Sequence, residues 1–233
     1  MGLEINKGNR GCLIAGVIGV IFPLIFFIIF KYMDTNREQL NTDTCLPIYG
    51  NKTLNSSKDT IYHIVPSFSF LDQNGDTITD AIMQNKVVVA DFFFTTCSSI
   101  CIDMTKNLRK IQEHFLNDRD VMILSYTVNP EADSVKQLQK YAVENDVNGK
   151  LWHLLTGDKK ELYDLARNGY LVTAVQGDGG PNDFIHSEKL VLVDKEKRIR
   201  GFYDGTKNDE IIRLKKDAQK LLVSYIIIPK EDK

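Results

Sequence analysis

The sequence predicts an α/β fold with a mixed central sheet and helices on both faces, and three observations carry that prediction. Val87–Phe94 is an apolar run broken only by Asp91, the length and composition of a buried strand. Further short apolar runs alternate along the chain with stretches whose apolar residues recur every three to four positions, the period of a helix face. The alternation then gives way to a hairpin and a closing helix, and a hairpin adds antiparallel strands to a sheet built by alternation.

The elements follow in order. Ile61–Leu71 alternates late, at Phe68 and Phe70, and is followed by Asp72-Gln73-Asn74-Gly75, a turn signal. Thr77–Thr79 returns as a short strand. After the central strand, Met104, Leu108, Ile111 and Phe115 mark one helix face. Val121–Val128 is a second buried strand, stopped by Asn129-Pro130. Ser134–Glu144 is a helix with Asp133 or Ser134 as its N-cap. Leu151–Leu155 is a strand, Lys159–Arg167 a helix closed by Asn168-Gly169, and Tyr170–Val175 a short extended segment. Gln176–Asp183 is a glycine-rich flexible loop. Lys189–Asp194 and Ile199–Tyr203 form the hairpin, and Asn208–Leu222 the last helix.

The chain has 233 residues, enough for one good-sized domain with appendages. Lys+Arg at 29 nearly balances Asp+Glu at 31, and no basic block appears, so nucleic acid is not an expected partner. Gly11–Phe30 carries no charged residue over a length that a bilayer-spanning helix needs, and lacks the small-residue cleavage site of a secretory signal. The expected layout is a short cytoplasmic N-terminus at 1–10, a transmembrane anchor at 11–30, a polar linker at 31–58 and a folded domain at 59–233. The residues before the span lack the character of a transit peptide, so the expected home is a bacterial membrane, with the domain on the periplasmic or extracytoplasmic side.

Four cysteines are too few for a disulfide framework. Cys12 falls in the apolar segment and Cys45 in the linker. Cys97 and Cys101 stand where the central strand hands over to its helix. Free N–H groups and the positive end of the helix dipole favour thiolate there. The spacing puts both sulfurs on one helix face, about 6 Å apart at the α-carbons. That geometry permits a disulfide and also offers two soft ligands to one metal ion, which suits Cu(I). A Cys pair after the first long strand of such a domain points to the thioredoxin class. His63, His114 and His153 are expected in packing or surface positions. His186 precedes a strong strand and follows the glycine-rich loop, which makes it the candidate third ligand.

Here the motifs become specific. FFFTTCSSICIDM, then SYTVNPEAD, then WHLLTGD, then IHSEKLVLVDKEKRIRGFYDG resemble, in order, the Sco/SenC family of membrane-anchored copper proteins with a thioredoxin-like fold. The resemblance implies copper bound by Cys97, Cys101 and His186, the last of which precedes the late strand. It also implies a role at the CuA centre of cytochrome c oxidase. That role is either delivering copper to the subunit carrying the centre or reducing its cysteines, alongside other copper or thiol-redox proteins. Departures are equally clear. Ser98 and Ile102 stand where the family usually has proline after each cysteine, and Asn129 replaces the first acid of its DPxxD segment, leaving Pro130 and Asp133. Missing prolines leave two more N–H groups and a more pliant turn near the sulfurs.

Two functions therefore stand: a copper metallochaperone, or a membrane-anchored thioredoxin-like thiol–disulfide oxidoreductase using Cys97 and Cys101 as its redox pair. A copper or redox sensor is a third reading, for which ten residues before the span provide no obvious output. A reporter active only outside the cytoplasm, fused after Lys233, is expected to be active; a silent fusion would reverse the topology.

Overall fold

The computed structural model describes residues 23–31, 46–54, 57–97, 100–172 and 187–227. Residues 1–45 and 46–233 are separate units. In the first, 23–31 is helical with exposed side chains. Among the described residues no helix is long and apolar enough to cross a membrane, and much of the expected span at 11–30 lies outside them.

The second unit is built on a seven-stranded mixed sheet. Its strands are β3 (Ser69–Asp72), β4 (Thr77–Thr79), β5 (Val87–Phe93), β6 (Val121–Thr127), β7 (Trp152–Thr156), β8 (Lys189–Val193) and β9 (Ile199–Asp204). They lie in the order β4-β3-β7-β6-β5-β8-β9. β5 pairs with β6 in parallel and with β8 antiparallel. A small antiparallel pair, β1 (Lys52–Leu54) and β2 (Thr60–Tyr62), stands apart from this sheet. The helices are α1 (Ile100–His114), α2 (Val135–Glu144), α3 (Lys159–Asp164, continued by a wider turn over Leu165–Gly169) and α4 (Asn208–Ile227).

Alternation along β5 explains the layers, because successive side chains of a strand point to opposite faces. Val87, Val89 and Phe93 pack with Met104, Leu108 and Ile111 of α1, Leu138 of α2, and Ile211 and Leu214 of α4. Val88, Ala90 and Phe92 pack with Phe68, Phe70, Tyr126, Leu162 and Tyr163 on the other face. All seven residues of β5 are buried. On the second face Tyr126 and Tyr170 meet hydroxyl to hydroxyl at 2.9 Å, and Tyr163 Oη donates to the Val128 carbonyl at 2.8 Å, so the buried phenols have partners.

Several elements differ from expectation. Pro66 separates β2 from β3, so Ile61–Leu71 is two strands in different sheets rather than one. Tyr170 is not extended: its N–H donates to the Leu165 carbonyl at 2.8 Å, and Leu171 follows at φ 55°. The rest of that segment, and the glycine-rich loop, lie outside the described residues. The last helix runs on to Ile227, with Tyr225 Oη donating to Glu196. The folded unit also takes in residues ahead of Asp59. The Tyr49 N–H donates to the Ile199 carbonyl at 2.9 Å, and Arg200 holds the Leu46 and Pro47 carbonyls at 2.5 and 3.1 Å.

Asp91 is the one polar side chain in β5, on the face covered by α1. It accepts a hydrogen bond from Ser125 of β6, whose oxygen in turn accepts from Trp152 Nε1 at 2.8 Å. Burial pushes the Asp91 carboxyl up to about 7, against the smaller opposing effect of the Ser125 hydrogen bond. The folded chain therefore holds this proton to higher pH than the unfolded chain does. Stability from this group is present at low pH and lost as pH rises from the ordinary 3.8 to about 7. Asp91→Asn is expected to flatten that slope and to leave the protein more stable than wild type above pH 7, by an amount on the order of a few kcal/mol. Urea titrations at a series of pH values check it, and identical slopes for both proteins would refute it.

Candidate functional site

Where β5 ends, its ladder with β6 ends too: Phe93 pairs with Thr127, and the Val128 N–H closes on the Phe93 carbonyl at 2.8 Å. Phe94–Cys97 then leaves the sheet as a turn, with the Cys97 N–H donating to the Phe94 carbonyl at 3.3 Å. Cys97 is half-buried and packs against the core beneath α1. The helix is described from Ile100. Cys97 thus precedes it, and Cys101 stands in its first turn. The expectation of a helical Cys97 is corrected: Cys97 sits on the turn, where its N–H bonds to the Phe94 carbonyl. The side chain of Cys101, and residues 98–99, lie outside the described residues.

The turn is held from the neighbouring loop. Asp133 is fully buried and takes hydrogen bonds from the Thr95 N–H at 3.2 Å, from Thr95 Oγ1 at 2.5 Å and from the Thr127 hydroxyl. Each hydroxyl is itself supplied from outside. Gln137 Nε2 donates to Thr95 Oγ1 at 3.2 Å, and the Asn129 N–H donates to Thr127 Oγ1 at 3.0 Å. Asp133 is not the N-cap of α2, because Ser134 accepts from the Gln137 N–H at 3.4 Å in that role. The Asn129 backbone carbonyl closes the same loop by accepting from the N–H groups of Ala132 and Asp133 at 3.0 and 2.9 Å, so the turn forms without a carboxylate at that position.

Of the histidines, three are engaged in structural contacts. His63 Nε2 donates to the Gly169 carbonyl at 2.8 Å. His153 is buried against Asp72 at 3.1 Å. His114 meets Gln219 at 3.0 Å and stacks edge-on against Phe115. His186 lies outside the described residues. The strand that follows it does not: β8 starts at Lys189, three positions later, and runs antiparallel to β5. The start of β8 and the end of β5 therefore share one end of the sheet, the end at which the Cys97 turn begins. Among the described residues no three His, Cys, Asp or Glu side chains cluster closely enough to hold a metal ion. Sequence reasoning noted Asp133 as a cap or a motif remnant but not its bonds to Thr95, and it had no signal for the Ser125–Asp91 bond, since both depend on pairing between strands.

Comparison with known proteins agrees with this architecture. The chain is 31% identical over 169 residues to the SCO1 protein homolog of Bacillus subtilis (strain 168), covering 70% of this chain and 87% of that one. A solved structure of BsSco, described as a member of the Sco family of cytochrome c oxidase assembly proteins and as having a disulfide switch, superposes with a TM-score of 0.56 at 30% identity, covering 68% of this chain and 95% of that one. The crystal structure of Arabidopsis thaliana ScoI with copper bound superposes with a TM-score of 0.53 at 27% identity, covering 70% and 99%. The SCO1/SenC family model matches residues 56–221, and the chain belongs to that family.

Proposed function

We propose that this protein is a membrane-anchored copper metallochaperone acting in maturation of the CuA centre of cytochrome c oxidase, with Cys97, Cys101 and His186 as the copper ligands. The observation that carries the reading is the antiparallel pairing of β8 with β5. It brings the chain back, three residues after His186, to the end of the sheet at which the Cys97 turn begins. The copper-bound ScoI structure and the oxidase-assembly role of BsSco support the same reading.

The donor set suits the cargo. Two thiolates and an imidazole bind soft Cu(I) well, and both cysteines must be reduced before they can do so. Three protein ligands leave one side of the ion open, through which a recipient's ligands can replace these one at a time. The half-buried position of Cys97 serves both needs: it is accessible to a partner, yet backed by the core under α1. The segment 11–30 anchors the domain at the membrane surface where an oxidase subunit carrying CuA presents its own copper site.

Thiol–disulfide exchange is the second reading, favoured by the disulfide switch described for BsSco and by a thiol placed just ahead of a helix N-terminus. It needs Cys97 and Cys101 but no histidine.

Titration of the reduced full-length chain in mild detergent is expected to show one Cu(I) per chain. Cys97→Ser, Cys101→Ser and His186→Ala should each weaken binding by at least a hundredfold. Undiminished affinity in His186→Ala would remove the three-ligand site. Reduction of a disulfide substrate that persists in His186→Ala with copper chelated would shift the assignment to the oxidoreductase.

A further inference from the structure

We propose that Asp133 is a positioning residue for the cysteine site, acting through Thr95 to hold the turn that carries Cys97. The inference deepens the copper reading and rests on it in part.

The hydrogen bonds of Asp133 begin where the sheet stops. β5 and β6 are already joined residue by residue from Val87↔Val121 to Phe93↔Thr127, and the Val128 N–H closes the ladder. The sheet therefore does not need a buried carboxylate at this corner. α2 does not need it either, since Ser134 caps that helix. What remains for Asp133 to fix is Thr95, the first position past the ladder bonded to it and two residues before Cys97. A tether on the N-terminal side of Cys97 fixes the turn from which that thiol reaches a ligand.

The network also has a direction that selects a carboxylate. Thr95 Oγ1 accepts from Gln137 Nε2, and Thr127 Oγ1 accepts from the Asn129 N–H, so both hydroxyls turn their hydrogens toward residue 133. The Thr95 N–H adds a third donor. A carboxylate accepts all three; an amide of the same shape places an NH2 group against one of them. Each buried group is satisfied only while residue 133 has two acceptor oxygens.

The test uses the full-length chain in mild detergent with Asp133→Asn, Thr95→Val, the double variant, and Asp72→Asn as a control for loss of a buried carboxylate elsewhere. Asp72 accepts from the Asn74 and Asp76 N–H groups and meets His153, on a strand separated from β5 by β7 and β6. Three quantities are read: Cu(I) affinity by competition with a chromogenic chelator, the thiol–disulfide equilibrium of Cys97/Cys101 against glutathione, and the melting temperature. Asp133→Asn and Thr95→Val are expected to weaken Cu(I) binding by roughly 10–100-fold, as loss of an orienting partner does, and to shift the glutathione equilibrium at least threefold. The double variant should be no weaker than the worse single one. Asp72→Asn should lower the melting temperature and leave the other two readouts unchanged. Wild-type affinity and wild-type equilibrium in Asp133→Asn would overturn the proposal, whatever its melting temperature. Should Asp133→Asn fail to fold, Thr95→Val decides by the same two readouts. Should the wild type bind no Cu(I), the copper reading falls, and the glutathione equilibrium alone decides the positioning role.

Discussion

The seven residues of β5 have no face left for water, and much of the rest of the structure depends on that burial. One set of side chains is covered by α1, α2 and α4, the other by α3 and the aromatic group around Tyr126. A strand covered on both faces must satisfy its backbone on both edges, and β6 and β8 do this. Slipping the register by one residue would turn Asp91 toward the aromatic face and one set of valines toward the other, so the alternation that buries the strand also holds it in place. The position of its last residue, Phe93, is therefore set by packing along the whole strand.

Chemistry begins one step beyond that rigid strand. The ladder ends, the chain turns, and Cys97 sits on the turn before α1 takes over. A site at such a junction has a fixed base in the end of the strand ladder. Asp133 belongs to the base: it is anchored to Thr127 at the end of β6 and reaches across to Thr95 on the turn. Asp91 lies deeper under the same helix, bonded to the neighbouring strand through Ser125. Its carboxyl has little water to stabilise its charge, which is why its proton is held well above the ordinary range.

How much could be read in advance varied with how local the physics was. β5, β6 and the β8–β9 hairpin were legible because continuous apolar runs bounded by turn residues can do little else. The apolar face of α1 was legible from Met104, Leu108 and Ile111. The segment from Ile61 to Leu71 misled because its alternation spans Pro66, and only pairing partners decide that one half joins β1 and the other β7. The helical placement of Cys97 misled for a similar reason: spacing gives positions along a helix, while Cys97 itself lies on the turn. Ser134 and Asp133 are both good caps in isolation, and the choice between them was made by Thr95 and Thr127, which come from other strands.

By itself the sequence determined the strand–helix alternation, the placement of two thiols at the end of the central strand, the family motifs, and a charge-free segment long enough to span a bilayer. These follow from hydrophobic period and residue chemistry, which act over a few neighbouring positions. Tertiary structure alone decided which strands became neighbours, that β8 runs back against β5, and that a carboxylate beyond β6 holds the turn before Cys97. Those are contacts between residues far apart in the chain, and their free energy exists only once the burial of β5 has brought the segments together.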